Sequence, residues 1–235
     1  MPAIRSIDLI REVRTSAARG DSSGVNVRSR QEALALVERD SLAQPAFSFR
    51  IVPVDRVHGE TVEVGALRLE VQELAAESGE VTALAAAACT LGGALEKRVT
   101  ALFRAGRPLL ALALDAVGND LLFRAADRAF AGIRREARRQ NLMTGAELSP
   151  GDSGIPLDHQ AALLEMADAG QNGITLTSHG MLVPVKSLSI LVTLGRNLAV
   201  RSAGRCDHCS SKDRCTLRTK RAGGARASLI GRSQQ

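Results

Sequence analysis

The sequence contains no tryptophan and no tyrosine, and five phenylalanines are the only aromatic residues among its 235. Such a chain lacks a platform on which a nucleobase or an adenine ring could stack. Leu, Val and Ala must fill the core instead. At 45% apolar residues, the chain can build one large domain or two small ones. The composition therefore indicates a folded protein with an aliphatic core.

Long hydrophobic runs are also missing. The longest, 83–89 and 108–114, are far shorter than the roughly 20 residues that a membrane-spanning helix needs. The amino terminus carries charge throughout, with no apolar stretch leading to a small-residue cleavage site, so we expect no signal peptide. These absences predict a soluble, cytoplasmic protein with no membrane partner.

Charge is distributed unevenly along the chain. From Arg196 onward there are ten Lys or Arg residues and two Asp, whereas the preceding part has 21 basic and 23 acidic residues. A basic tail can attract nucleic acid or an acidic protein, or simply keep a chain end solvated. Because the body is nearly neutral and has few aromatic residues, we do not expect nucleic-acid binding.

The distribution of small and polar residues predicts three regions. Residues 15–30 are polar and small, and we expect residues 1–30 to form a flexible lead-in. Residues 31–200 hold the periodic apolar patterns of a folded domain. Residues 201–235 form a segment with clustered cysteines and a basic tail.

Apolar periodicity predicts the elements of the central domain. The predicted helices are 31–38, 95–106, 109–139 and 156–169, and the predicted strands are 47–54, 61–74, 174–177 and 182–194. We expect the first two strands to pair antiparallel through a turn at His58 and Gly59. The alanine-rich run 81–91 fits either a helix or a buried strand. Strands before and after a helical centre indicate an α+β fold.

Three of the four cysteines lie within ten residues, as Cys206, Cys209 and Cys215. A Cys-x2-Cys pair lets two thiolates reach one metal from a single turn, and the third can close the site. Three thiolates suit a [4Fe-4S] cluster with an outside fourth ligand, whereas His208 or a partner residue would complete a zinc site. Free thiols in a loose tail are the third interpretation. Cys89, in an alanine-rich run, is expected in the core.

Several short motifs follow one another in a recognisable order. They are ACTLG (88–92), LDAVG (114–118), LSPG (148–151), TLT (175–177) and KSLS (186–189). This series resembles the AdoMet-binding activation domain of cobalamin-dependent methionine synthase, in the form of a small stand-alone protein. The resemblance covers about residues 30–218. It implies an α+β fold with an antiparallel, twisted sheet and a central group of long helices.

The resemblance also implies an AdoMet site, where a Pro-Gly turn lets the backbone approach the ligand closely. Six residues are assigned to this site: Ser149, Pro150, Gly151, Thr177, Lys186 and Ser187. Lys186 would neutralise a carboxylate or phosphate, although a lone Lys between strands is often only exposed. This chain departs from the family motif at two positions, with Glu147 in place of Arg and Asp152 in place of Tyr. His179 is either a base or corrinoid ligand or, more simply, a turn histidine.

The functional hypothesis that follows is an accessory protein of a corrinoid-dependent methyl-transfer system. It would dock on a cobalamin-carrying partner and support reductive reactivation, with AdoMet as methyl donor and the cysteine cluster as electron relay. The chain would at most be one component of a methyltransferase system, because 235 residues leave no room for further substrate domains. The alternative is a non-catalytic docking module with a structural zinc-bound tail.

Overall fold

We describe the protein from a computed structural model, which describes residues 5–17, 27–71, 79–152 and 154–198. The helices are α1 (Ser6–Ala17), α2 (Val27–Arg39), α3 (Ala94–Arg104), α4 (Pro108–Arg139) and α5 (Gln160–Met166). The strands are β1 (Ala46–Pro53), β2 (Arg56–His58), β3 (Thr61–Val64), β4 (Leu67–Glu70), β5 (Glu80–Thr90), β6 (Met143–Leu148), β7 (Thr175–Leu176), β8 (Leu182–Val183) and β9 (Ser187–Arg196). The expected α+β class is confirmed.

The main sheet has four antiparallel strands in the order β1-β5-β9-β6. Strand β5 is the alanine-rich run for which the sequence left helix or strand open. It forms a strand because it pairs along its length with β1 on one side and β9 on the other. Two glycines with positive φ, Gly79 (101°) and Gly92 (74°), bound it and turn the chain away.

Alternating residues of β5 face two separate apolar clusters, as the two-residue period of a strand requires. Ala83, Ala85, Ala87 and Cys89 face a cluster formed with α1 to α4, which we call the helical face. Leu84, Ala86 and Ala88 face a second cluster with β3, β4 and α5, which we call the hairpin face. The sheet is therefore the middle layer of three, and the burial of Cys89 confirms its predicted core position.

Helix α4 is the longest element, at 32 residues. The predicted span 109–139 is confirmed, and its buried residues recur at the helical period expected from the sequence. Pro108 stands in the first turn, where its missing N–H costs nothing, and Arg138 and Arg139 stand in the last turn beside the negative helix end. Helices α1, α2 and α3 all pack on α4.

The lead-in prediction is wrong for residues 6–17, which form helix α1. Leu9, Ile10 and Val13 of this helix are buried in the helical-face cluster. Arg128 of α4 donates a hydrogen bond to Glu12 and fastens the helix from outside. The prediction extended the polar character of residues 15–30 to the whole amino terminus. It therefore missed the short amphipathic pattern before residue 15. Helix α2 likewise begins four residues earlier than predicted, at Val27.

The predicted pairing of 47–54 with 61–74 is also wrong. Strand β1 pairs with β5, while β2, β3 and β4 form a separate three-stranded meander. Gly65 has a φ of 57° and divides the predicted second strand into β3 and β4, and its N–H donates to Asp55 Oδ2 at 2.6 Å. Residues 72–74 of that prediction lie outside the described residues.

The region after α4 consists of more and shorter elements than predicted. Strand β6 was not predicted, and the helix expected over 156–169 becomes a 3₁₀ turn, the short α5, and a second 3₁₀ turn after Asp168. The interruption of 182–194 near Pro184 is confirmed, since β8 ends before it and β9 begins after it. Among the described helices, none combines the length and apolar character needed to cross a bilayer.

Candidate functional site

The predicted site residues surround one end of the main sheet, where β5 and β6 end and β9 begins. Ser187 opens β9 opposite Thr90, the last residue of β5, and its hydroxyl donates to Thr90 Oγ1 at 2.8 Å. Thr90 Oγ1 also accepts the Gly92 N–H at 3.0 Å. Both hydroxyls are buried and engaged with each other, so they fix the strand ends together.

The Ser149–Gly151 turn follows directly from β6. The Asp152 N–H donates to the Ser149 carbonyl at 3.0 Å, and the Gly151 N–H donates to the Ile155 carbonyl at 3.0 Å. Gly151 has a φ of 90°, a conformation that a residue with a side chain adopts only with strain, and it is exposed. The turn therefore presents backbone, without a side chain, to an approaching molecule.

Thr177 lies in a second tight turn, between β7 and β8. Its N–H donates to the Met181 carbonyl at 2.9 Å, and its Oγ1 accepts the N–H groups of Met181 at 3.1 Å and His179 at 3.3 Å. The hydroxyl thus shapes the turn. His179 is exposed, with Nδ1 at 3.2 Å from Ser178 Oγ, which agrees with the simpler view of it as a turn histidine.

Leu157 joins the two turns. A methyl group built on Gly151 would lie 3.6 Å from Leu157 Cδ1, and one built on Gly180 would lie 3.9 Å from Leu157 Cδ2. The two glycines therefore approach one leucine side chain closely. The structure thus brings together the 149–151 and 177–181 segments, which are 26 residues apart along the chain.

The Lys186 side chain makes its contacts away from the 149–151 and 177–181 segments. Its ammonium Nζ lies 2.7 Å from Asp115 Oδ1 and donates to Asn119 Oδ1 at 2.7 Å, both on α4. The side chain thus lies on the helical face, whereas the neighbouring Ser187 bonds to Thr90 on the hairpin face. Sequence reasoning did not assign Asp115 or Asn119 to this end of the sheet, although Asp115 lies within the LDAVG motif.

The two positions that depart from the motif of the resembled family both carry carboxylates. Glu147 is buried in β6 opposite Val192, and Asp152 is half-buried beside the 149–151 turn. Asp158, next to Leu157, is exposed. Glu147 lies on the helical face, because its partner Val192 belongs to that cluster whereas Leu148 belongs to the hairpin-face cluster. The carboxylates near the turn are therefore those of Asp152 and Asp158.

Exposed apolar side chains line the rim. Met181, Val183 and Val185 follow at two-residue spacing and are 62%, 40% and 62% exposed, and Leu157 is 44% exposed. We call these four residues the apolar rim. The chain bends at residues 184–186, so the rim is defined by the exposure of these side chains beside the two turns and not by a shared strand face.

A cleft of about 580 Å³, lined in part by Thr90, lies between the start of β1 and the second 3₁₀ turn. Its polar side chains are all uncharged: Ser6, Ser41, Gln44, Thr90, Gln171 and Asn172. The cleft was not anticipated from the sequence, because its residues come from four distant segments and form no motif.

The predicted metal ligands Cys206, Cys209 and Cys215 lie outside the described residues. Within the described ranges, no group of three His, Cys, Asp or Glu side chains is arranged to hold a metal ion. The metal site therefore remains a prediction from the sequence.

Comparison with known proteins gives a result at the level of structure. No protein-family model and no curated protein sequence matches the chain. The fold is similar to a crystal structure of the MetH reactivation domain bound to AdoHcy, with a TM-score of 0.62. The match covers 93% of this chain and 84% of that one, at 15% sequence identity. This protein therefore has the fold of the MetH reactivation domain.

Proposed function

We propose that the protein is an activation component of a corrinoid-dependent methyl-transfer system, with AdoMet as the methyl donor. The observation that carries the proposal is the match, over nearly the whole chain, to a reactivation domain that binds AdoHcy. AdoHcy is what remains of AdoMet once the methyl group has left. The order of motifs in the sequence supports the same family independently of the fold.

The donor would lie against the 149–151 and 177–181 turns. Both present backbone close to Leu157, and Gly151 and Gly180 leave the approach clear of side chains. The carboxylates of Asp152 and Asp158 would favour the sulfonium of AdoMet, which carries a positive charge that AdoHcy lacks. Ser187 and Thr177 would act by fixing the backbone, because their hydroxyls are already engaged within the protein.

The partner would be a corrinoid-carrying protein, and the apolar rim is the surface that would meet it. A methyl acceptor must come within bonding distance of the donor, and the rim lies directly beside the two turns. The Co(II) corrinoid of that partner would be the substrate. It would take one electron from a reductant and the methyl group from the sulfur of AdoMet, and AdoHcy would leave.

The cysteine cluster would supply or relay that electron if it holds iron and sulfide. The first measurement is the iron, sulfide and zinc content of anaerobically purified protein, together with its visible spectrum. Iron with sulfide, lost when Cys206, Cys209 and Cys215 are changed to Ser but kept in Cys89→Ser, would support the relay. Zinc in the same ligand set would instead support a structural tail.

Ligand binding is tested by calorimetry with AdoMet and AdoHcy. Methyl transfer is tested by incubating isotopically labelled methyl-AdoMet with a reductant and free hydroxocobalamin, and following the label into the corrinoid. Binding of both ligands and protein-dependent labelling are the expected results. Failure of the protein to bind either ligand would overturn the donor site.

The alternative is a docking module that holds a corrinoid protein or methyltransferase without binding AdoMet. Glu147 and Asp152 favour it, because they replace the Arg and Tyr of the family motif. It predicts binding to a corrinoid protein through the apolar rim with no heat on titration with AdoMet. Methyl transfer to hydroxocobalamin would rule it out.

A further inference from the structure

We propose that Lys186 is a positioning residue, which Asp115 and Asn119 of α4 hold in place, and that it contributes no charge to a bound ligand. The proposal rests on the proposed function, because it concerns the same site. It replaces the role that the motif resemblance implies for Lys186, neutralisation of a carboxylate or phosphate. It also adds Asp115, Gly118 and Asn119 of α4 to the residues that shape the site.

The contacts of the ammonium support this role. Nζ lies 2.7 Å from Asp115 Oδ1 and 2.7 Å from Asn119 Oδ1, both within hydrogen-bond distance. The Lys186 side chain is only 7% exposed, whereas that of Asp115 is 43% exposed. The ammonium is thus turned away from water and toward α4, and the solvent-facing member of the pair is the carboxylate.

Gly118 makes room for the lysine stem. Asp115, Gly118 and Asn119 lie three and four residues apart on α4 and so share one side of the helix. A methyl group built on Gly118 would lie 3.2 Å from Lys186 Cε and 2.9 Å from Leu95 Cδ2. Any larger residue at 118 would therefore press on the lysine stem and on Leu95, which packs beside it.

The same stretch of backbone is tied from two further elements. The Val185 N–H donates to Glu96 Oε2 of α3 at 2.6 Å, and the Leu91 N–H donates to the Lys186 carbonyl at 2.9 Å. Residues 185–187 are consequently fixed by α3, by α4 and by the end of β5. This stretch carries Val185 of the apolar rim and begins β9, so its position sets the geometry of the site.

Electrostatics gives the same result. A ligand carboxylate near the Lys186 ammonium would also meet Asp115, and the paired charges largely cancel at a distance. A residue that serves to neutralise a ligand would instead leave its charge unpaired until the ligand arrives. The Asp115–Lys186 pair therefore belongs to the structure of the site.

A ligand pair that differs by one carboxylate tests the proposal. We would measure the affinities of AdoMet and decarboxylated AdoMet for the wild type and for Lys186→Met, which keeps the stem as far as the ε position and removes the ammonium. If Lys186 only positions the backbone, the substitution lowers the affinity for both ligands by the same factor, about tenfold. If Lys186 binds the ligand carboxylate, only AdoMet loses affinity and the preference between the two ligands falls about tenfold or more, which would overturn the proposal.

A second measurement is independent of AdoMet. The chain has four lysines, and exposed Lys97 on α3 is an internal control for Lys186. We expect acetic anhydride to modify Lys186 at least about tenfold more slowly than Lys97. Modification requires the Lys186 ammonium to separate from Asp115 and Asn119 first. Asp115→Asn and Asn119→Ala should raise the rate at Lys186 and leave that at Lys97 unchanged.

The two experiments separate the possible failures. Equal reactivity of Lys186 and Lys97 in the wild type, or no change at Lys186 in Asp115→Asn, would contradict the positioning role of Lys186. This conclusion would hold whatever ligand the protein binds. If the wild type binds neither ligand but Lys186 is still modified more slowly than Lys97, the proposed function fails. The contacts that hold Lys186 in place are then still supported. Circular dichroism of each variant identifies any that does not fold.

Discussion

The two faces of the main sheet are built in different ways. The helical face is covered by α1 to α4, and one uninterrupted 32-residue helix contacts the other three. The hairpin face is covered by short strands, a seven-residue helix and tight turns, each held by a few hydrogen bonds. The candidate ligand turns lie on the hairpin side. The helical face thus holds the larger buried cluster, and the hairpin face carries the turns that a ligand or partner could reach.

The largest effect should come from the helical face. Leu121→Ala removes a fully buried side chain of α4 and should lower the free energy of unfolding by about 3 kcal/mol, through lost burial and the cavity left behind. Urea unfolding measures this loss. Leu112→Ala, on the same helix but 55% exposed, is the matched control and should stay within about 0.5 kcal/mol of the wild type. Equal losses at both positions would contradict the assigned orientation of α4.

The corresponding change on the hairpin face should act locally. Leu69→Ala empties a buried position of β4 and should cost about 2 kcal/mol, less than Leu121→Ala, because the three-stranded meander can open without the rest. Hydrogen exchange should accelerate in residues 56–71 and remain slow in α4. Faster exchange throughout α4 would show that the two faces unfold as one unit.

Glycine substitutions separate the site from ordinary turns. Gly151→Ala and Gly65→Ala both place a side chain at positive φ and should each cost about 1 kcal/mol. Only Gly151 borders the proposed ligand, so only its substitution should weaken AdoHcy binding in calorimetry. Equal loss of binding in Gly65→Ala would show that the effect comes through general destabilisation.

His159 and His179, both on the hairpin side, give a smaller contrast. His159 Nε2 accepts the Glu70 N–H at 3.0 Å and ties the meander to the turn before α5. His159→Phe removes this acceptor and should cost about 1 kcal/mol, with faster exchange of the Glu70 amide. His179→Phe changes an exposed turn residue and should have little effect on stability. A large loss in His179→Phe would argue for a role beyond the turn.

The smallest predicted effect is electrostatic. Asp152→Asn removes a half-buried carboxylate beside the 149–151 turn and should reduce the preference for AdoMet over AdoHcy about threefold, with little change for AdoHcy. Parallel titrations at low salt measure this ratio. An unchanged ratio would place the sulfonium away from Asp152.

The contrast between the faces also explains what the sequence could predict. Helices α3 and α4 carry a regular apolar period over many residues, so their spans followed from local pattern. The strands of the meander and β6 are only three to six residues long, and their pairing depends on which other strand is available. Strand β5 could not be assigned from its alanines, because its state is set by pairing with β1 and β9.

The candidate site was predicted in part for the same reason. The motif order identified the 149–151 turn and Thr177, which the structure brings close through Leu157. It could not show which face of the sheet Lys186 and Ser187 each meet, because this depends on how the strand packs between the two outer layers. Asp115 and Asn119 were missed as partners of Lys186, because their spacing on α4 is meaningful only beside a lysine 67 to 71 residues later.

The alanines of β5 restrict how this protein can be engineered. Ala85, Ala86, Ala87 and Ala88 are fully buried between the two outer layers, which approach the sheet closely because a methyl group takes so little space. Replacement by Val, a common way to strengthen a strand, would add volume where none is free and should cost about 1–3 kcal/mol. A more heat-resistant version would therefore have to be sought at the perimeter of the fold, with the centre left unchanged.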